Sequence, residues 1–80
     1  MARIVWLEPV AQLLRELPPR QQKLILARIR PLRRFPRMYP VIGKGRFRRH
    51  RRFIAGTWVV YYRVVDNTVY IRGLWPARIP

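Results

Sequence analysis

The hydrophobic residues near the N-terminus indicate a short strand and then repeat at helical spacing. Residues Arg3 to Leu7 are a strand candidate. Pro9 then opens a helix, because its missing N–H does no harm in the first turn and its fixed φ suits a helix. The next apolar residues recur at i, i+3, i+4 and i+7, the spacing of one buried helical stripe: Val10, Leu13, Leu14 and Leu17. The pattern therefore predicts a strand followed by an amphipathic helix.

Consecutive prolines separate this helix from a second one. Pro18-Pro19 ends the first helix and starts the next. The buried stripe of the second helix consists of Ile25, Ile29 and Leu32, with Leu24 and Leu26 widening it. Pro31 removes one backbone hydrogen bond and disfavours helix at Arg30, so the helix stops or kinks there. These residues predict a helical hairpin with a tight corner.

The hydrophobic period changes to two after a loop over residues 36–45 that is rich in proline and glycine. Phe47 to Ile54 is a predicted strand. Thr57 to Val65 and Thr68 to Trp75 are further strands, rich in β-branched and aromatic residues. Asp66-Asn67 joins these last strands as a tight hairpin turn, since both residue types tolerate positive φ. The order β-α-α-β-β-β predicts a single α+β domain over residues 1–80, with a helical hairpin packed on one face of a small, mostly antiparallel sheet.

The tight turn predicts a strand register and hence two faces of the hairpin. It pairs Tyr61 with Arg72, and Arg63 with Tyr70. One face is apolar or aromatic throughout and should pack on the helices: Trp58, Val60, Tyr62, Val64, Val69, Ile71, Gly73 and Trp75. The other face carries Val59, Tyr61, Arg63, Val65, Thr68, Tyr70, Arg72 and Leu74. Arginines alternating with aromatics can bind nucleic acid, or can pair across the strands and merely stabilise the hairpin. Trp6 is also expected in the core.

Charge narrows the class of partner. Lys and Arg number 18 against 3 Asp and Glu, so the net charge is +15 and the expected partner is anionic. Five arginines cluster within one short segment: Arg46, Arg48, Arg49, Arg51 and Arg52. They could bind RNA, DNA or an acidic protein, or could form a solvated face without a ligand. Each close pair repels by about 1 kcal/mol in water, and the few acids relieve little of this, which favours a binding role.

Other compositional features exclude several classes of protein. The absence of cysteine excludes a disulfide-stapled scaffold, a zinc finger and thiol catalysis. No segment approaches the roughly 18 consecutive apolar residues of a membrane span, and the N-terminal apolar run is too short for a signal peptide. We therefore expect a cytoplasmic protein with no membrane partner, no metal and no cofactor.

The lone histidine, His50, is either a general acid or base or a polar residue at a strand edge.

Several segments resemble the RelE/ParE superfamily of toxins. Gly56 to Val64 reads G-T-W-V-V-Y-Y-R-V and resembles the signature of that superfamily, G-x-(aromatic/His)-x-V-(I/F/Y)-Y-R-V. Phe35-Pro36-Arg37-Met38 resembles the end of its second helix. Arg51-Arg52-Phe53 resembles its basic strand, and Val69 to Trp75 its last strand. The resemblance covers nearly the whole chain.

This resemblance implies that the chain is the toxin of a prokaryotic type II toxin–antitoxin system and that a cognate antitoxin neutralises it. Such systems have roles such as plasmid stabilisation. The charge predicts that the antitoxin is acidic.

The superfamily divides by target. RelE-like members cleave mRNA on the ribosome, whereas ParE-like members share the fold and are associated with poisoning DNA gyrase. Val59 stands where the RelE-like pattern has an arginine, and no tyrosine follows Arg78. Both departures are typical of ParE-like members, so the resemblance implies growth inhibition through gyrase.

Two alternatives remain open. The high charge also suits a ribosome-dependent mRNA endonuclease, in which Arg52, Arg78 and His50 would be the catalytic candidates. The chain could instead be a non-toxic basic module that binds nucleic acid. The candidate residues for binding nucleic acid or a partner are the same in each case: Arg46, Arg48, Arg49, Arg51, Arg52, Tyr61, Arg63, Tyr70, Arg72 and Arg78.

Overall fold

A strand, a helical hairpin and three further strands follow one another along the chain. The computed structural model describes residues 1–77. Its elements are β1 (Arg3–Trp6), α1 (Glu8–Glu16), α2 (Pro19–Ile29), a 3₁₀ turn (Arg30–Arg33), β2 (Arg51–Ala55), β3 (Trp58–Val65) and β4 (Thr68–Pro76). This order confirms the predicted α+β class. No helix within residues 1–77 is long and apolar enough to cross a membrane.

Prolines delimit the helical hairpin, as the sequence predicts. Each helix has a proline in its first two positions, where no backbone donor is needed. The corner between the helices is extended at Leu17 and Pro18. The Gln22 side chain donates to the Leu17 carbonyl over 2.7 Å and so satisfies an acceptor at the end of α1. After Ile29 the chain tightens into the 3₁₀ turn, which contains Pro31.

The strands form one mixed sheet in the order β1-β4-β3-β2. β1 lies parallel to β4, and the other neighbouring pairs are antiparallel. The chain between β1 and β4 contains the helical hairpin, β2 and β3, and so is long enough for the crossover that a parallel pair requires. The predicted turn at Asp66-Asn67 is confirmed, because Val65 pairs with Thr68 and Asp66 has a φ of 54°.

The core lies between the helices and one face of the sheet. The predicted stripe of the second helix is confirmed for Ile25, Ile29 and Leu32, which are buried. Leu24 and Leu26 do not widen it as predicted, because they are 44% and 40% exposed. In α1 only Val10 is buried, and Leu13 remains 44% exposed. The apolar stripe of α1 is therefore narrower than its spacing predicts.

Aromatic residues complete this core. Tyr62 is fully buried, and its hydroxyl donates to the Pro36 carbonyl over 3.0 Å. Trp6 and Trp58 are partly buried against the core, as predicted. Trp58 also donates through Nε1 to the Gln21 side chain over 2.9 Å, which ties β3 to α2.

The predicted register of the β3–β4 hairpin is wrong beyond its middle. The pairing follows the prediction from the turn as far as Tyr62 with Ile71, and then shifts between Tyr62 and Tyr61. Tyr61 pairs with Gly73, not with Arg72. Arg72 is thus the extra residue of a β-bulge, at which two residues of one strand oppose one of the other.

The bulge exchanges the two faces of β4 beyond Arg72. Side chains alternate with a period of two, so one inserted residue turns every later side chain to the opposite face. Leu74 was predicted on the exposed face but is only 5% exposed and pairs with Val60. Trp75 was predicted in the core but is 45% exposed and pairs with Val59.

The strand predicted over Phe47 to Ile54 is shorter than expected. Strand β2 begins at Arg51, and the preceding residues form a turn with positive φ at Gly45 and Arg49. Backbone hydrogen bonds close this turn, from Arg49 to the Ile42 carbonyl and from Ile42 to the His50 carbonyl. This pairing to the preceding loop, which a local pattern does not reveal, takes Phe47 out of the strand.

Candidate functional site

The face of the sheet opposite the helices, which we call the open face, carries aromatic and basic side chains. Its residues lie in rows across the paired strands. The rows are Ile54, Val59 and Trp75; then Arg52, Tyr61 and Gly73; then Arg63, Tyr70 and Val5. One end of the open face is therefore apolar, and arginines follow next to it.

Three rings form an aromatic cluster on the open face: Phe47, Tyr61 and Trp75. Phe47 stacks on Tyr61, with ring centroids 4.0 Å apart and planes 14° apart. Trp75 meets Phe47 edge-on, with centroids 6.4 Å apart. Gly73 leaves room for this packing, because a Cβ there would lie 3.2 Å from Trp75 Nε1 and 3.4 Å from Phe47. The turn before β2 thus folds Phe47 over the open face.

Arg46 places a cation against this aromatic cluster. Its guanidinium carbon lies 5.9 Å from the Phe47 centroid and 5.8 Å from the Trp75 centroid. Cation–π contacts of this kind stabilise by about 0.5–1 kcal/mol at exposed sites. Arg46 is itself exposed. The contact therefore holds a guanidinium next to an exposed indole ring.

A pocket of about 440 Å³ lies beside the aromatic cluster, which we call the edge pocket. It forms where β1 has ended, since β1 pairs with β4 only as far as Ile71. Helix α1 contributes Val10 and Leu13 to one wall, and Phe47 and Trp75 contribute to another. The remaining polar lining consists of Arg46, Arg72 and His50. The edge pocket therefore combines apolar walls with arginines, and none of its lining residues in the described part of the chain carries a carboxylate.

Most of the sequence-predicted binding residues lie together on or beside the open face. Arg52, Arg63 and Arg72 are exposed, and the predicted pair of Arg63 with Tyr70 is present. Tyr61 lies beneath Phe47. Arg46, Arg48 and Arg49 occupy the turn that precedes β2.

Arg51 lies apart from this group. It pairs with Tyr62 and so points to the helical side of the sheet. Its guanidinium donates to the carbonyls of Tyr39 over 2.6 Å and Arg37 over 3.2 Å. These bonds attach the loop before β2 to the sheet, which is a structural role. Arg78 lies outside the described residues.

His50 is half-buried at the border of the edge pocket. Its ring meets Phe47 edge-on, with centroids 5.5 Å apart. Its Nδ1 lies 3.2 Å from the Arg48 carbonyl, at hydrogen-bonding distance. The imidazole is thus oriented by the turn. Within residues 1–77, no group of three or more His, Cys, Asp or Glu side chains could hold a metal ion.

The few acidic residues do not neutralise the open face. Glu8 forms a salt bridge with Arg15, the only ion pair in the part of the chain that the structure describes. Glu16 accepts a hydrogen bond from Gln12 on the same helix. Asp66 lies in the turn between β3 and β4. Within residues 1–77, no acidic side chain forms a salt bridge with an arginine of the open face.

Sequence reasoning did not identify Phe47 and Trp75 as site residues. Phe47 was assigned to a strand and Trp75 to the core. The available signal was Gly73, because a lone glycine within a strand often marks a bulge. That bulge would have turned Trp75 to the open face.

The chain is a small, basic α+β domain whose element order is the one that the RelE/ParE resemblance implies. Residues 4–79 match the family described as ParE toxin of type II toxin-antitoxin system, parDE. The chain belongs to this family, which implies a cognate antitoxin as its partner. A comparison with curated proteins finds no match.

Proposed function

We propose that this ParE-family chain inhibits growth by binding DNA gyrase, without catalysing a reaction itself, and that its antitoxin blocks that contact. The observation that supports this most is the position of Val59. Val59 lies between Ile54 and Trp75 in the apolar row of the open face, where the RelE-like pattern would place an arginine. An apolar row bordered by arginines suits a protein interface better than a reaction centre. A toxin with this target acts in the cytoplasm.

The contact surface that we propose surrounds this apolar row. Interfaces owe most of their affinity to a few residues, among which Trp, Tyr and Arg are enriched. The open face supplies these residue types in Arg46, Arg48, Arg49, Arg52, Tyr61, Arg63, Tyr70 and Arg72. An acidic antitoxin segment that covers the same surface would neutralise its charge and exclude the target.

Supercoiling by purified gyrase tests this proposal. We expect the wild-type chain to inhibit supercoiling of a relaxed plasmid in a concentration-dependent manner. Val59→Arg should weaken inhibition, because it buries a charge in the proposed interface. Leu26→Arg is the matched control, since Leu26 is 40% exposed on α2, away from the open face. Normal supercoiling at saturating wild-type chain would contradict the proposal.

The cationic face also favours one alternative, a ribosome-dependent mRNA endonuclease. Its arginines could stabilise the charge of the transition state, and His50 could transfer the proton. This alternative predicts that Arg52→Ala combined with Arg78→Ala abolishes toxicity and mRNA cleavage. A fully toxic double variant would exclude it.

The remaining alternative, a non-toxic basic module, is excluded if induction of the chain arrests growth.

A further inference from the structure

We propose that the open face binds single-stranded nucleic acid, with one base at Trp75 and the edge pocket and with neighbouring phosphates on Arg46 and Arg72. This binding goes beyond the proposed inhibition of gyrase and does not depend on it. It rests on the described contacts of the aromatic cluster, on the lining of the edge pocket and on charge complementarity.

Trp75 provides a stacking surface. The indole is 45% exposed and lies on the part of β4 that extends beyond its pairing with β1. Phe47 packs against it and is in turn stacked on Tyr61, so the ring is held from one side. Exposed rings on a positively charged surface are the usual platform for unpaired bases. A base can therefore stack on Trp75 without displacing the core.

The edge pocket supplies space and cations beside this ring. Its volume of about 440 Å³ lies within the usual range of small-molecule sites, and Val10 and Leu13 give it an apolar wall. Arg46 and Arg72 also line it, next to Trp75. Arginine binds phosphate through paired N–H donors. A nucleotide in the edge pocket would therefore contact the apolar wall, the Trp75 ring and an arginine at the same time.

The same features favour a nucleic-acid strand over an acidic peptide. A peptide carboxylate would pair with the arginines, but it has no ring that could stack on the exposed part of the Trp75 indole. A strand presents a phosphate and a planar base in every nucleotide. The row of Arg63 and Tyr70 repeats the combination of a cation with a ring further along the open face. A continuing strand can use this second row.

Fluorescence anisotropy of a labelled oligothymidylate with the purified chain tests the proposal. The matched ligand is an abasic oligomer of the same length, which keeps the phosphates and lacks the bases. We expect the abasic oligomer to bind about tenfold more weakly, because stacking contributes substantially per base. Equal binding of both oligomers would overturn the proposal, since charge alone would then explain the affinity. Tighter or equal binding of an oligoglutamate peptide of the same charge would overturn it too.

Variants locate the binding to the residues named. Trp75→Ala should weaken oligothymidylate binding about tenfold. Phe35→Ala, which removes a ring that is 58% exposed outside this surface, should leave it unchanged. Arg72→Ala should lower the slope of log affinity against log salt by about 0.7, whereas Arg20→Ala on α2 should not. Equal effects of each variant and its control would overturn the assignment.

Intrinsic fluorescence gives a readout that needs no destabilising variant. Stacking on Trp75 should quench tryptophan emission of the wild-type chain with oligothymidylate, and the abasic oligomer should not quench it. Quenching by an oligouridylate as well would extend the site to RNA, because both strands share base and phosphate. Absence of quenching by either strand would overturn the proposal. Gyrase inhibition is measured separately, so failure of one proposal leaves the other standing.

Discussion

Tyr62 shows how one residue links the sheet to the loop that follows the helices. Its ring is fully buried, and its hydroxyl donates to the Pro36 carbonyl. Desolvation by burial raises the pKa of Tyr62 from 10.0 to about 12, and the Tyr39 backbone and the Arg51 charge lower it only in part. The folded state therefore strongly favours the neutral phenol.

Alkaline pH should destabilise the protein through this residue. The pKa of Tyr62 is higher in the folded protein than in the unfolded chain, so its contribution to the free energy of unfolding is fully present below pH 10. This contribution is lost as the pH rises from 10 to about 12. The loss amounts to about 2–3 kcal/mol. Urea unfolding followed by circular dichroism across this window measures it.

Two tyrosine-to-phenylalanine variants test whether Tyr62 causes the loss of stability at alkaline pH. Tyr62→Phe should remove most of the alkaline loss, and at neutral pH it should destabilise by about 1 kcal/mol because the Pro36 carbonyl loses its donor. Tyr70→Phe is the control, since Tyr70 is only half-buried on the open face. An unchanged alkaline loss in Tyr62→Phe would show that another group is responsible.

At the scale of elements, the helices were more predictable from sequence than the last strand. The helical hairpin is predicted by features of short sequence segments: the proline pair Pro18-Pro19 marks its corner, and the apolar spacing marks its second helix. The bulge at Arg72 depends on how two strands align over their whole length, which a turn at one end does not determine.

The same distinction explains what was predictable in the candidate site. The arginines of the open face were identified because their charge is visible in the sequence. The aromatic cluster was not, since it needs both the bulge and the turn that brings Phe47 over Tyr61. The repulsion within the cluster Arg46–Arg52 predicts a binding role for Arg51 as for its neighbours. Strand alternation instead turns it towards Tyr62.

Alanine substitutions at neighbouring positions test the bulge. Leu74→Ala should destabilise by about 2–4 kcal/mol, because it leaves a cavity in the core. Trp75→Ala should destabilise by only about 1 kcal/mol, since it removes edge contacts of a half-exposed ring. Urea unfolding of both variants compares the two losses. The opposite ranking would support the unshifted register, with Trp75 in the core.

The whole molecule carries a net charge of +15 on 80 residues. Within residues 1–77 only one salt bridge relieves this repulsion. A domain of this size has little hydrophobic stabilisation to spare. We therefore infer that repulsion among arginines lowers the stability of the free protein, and that an acidic partner restores it.

Salt should stabilise the free chain. Raising sodium chloride from about 0.1 to about 1 M shortens the screening length from about 10 to about 3 Å. We expect the melting temperature to rise, by about 4–8 °C for each 1 kcal/mol of repulsion relieved. A variant that carries both Arg48→Gln and Arg52→Gln should have a higher melting temperature than the wild-type chain at low salt. Its melting temperature should also rise less when sodium chloride is added. A melting temperature insensitive to salt in the wild-type chain would contradict this inference.

We propose that this ParE-family toxin stops growth through DNA gyrase. Pulse-labelling of DNA and protein synthesis in bacteria, immediately after induction of the chain, tests it most directly. We expect incorporation into DNA to fall first while protein synthesis continues, and we expect Val59→Arg to delay this fall. Collapse of protein synthesis before DNA synthesis would contradict the claim and assign the arginines of the open face to the ribosome.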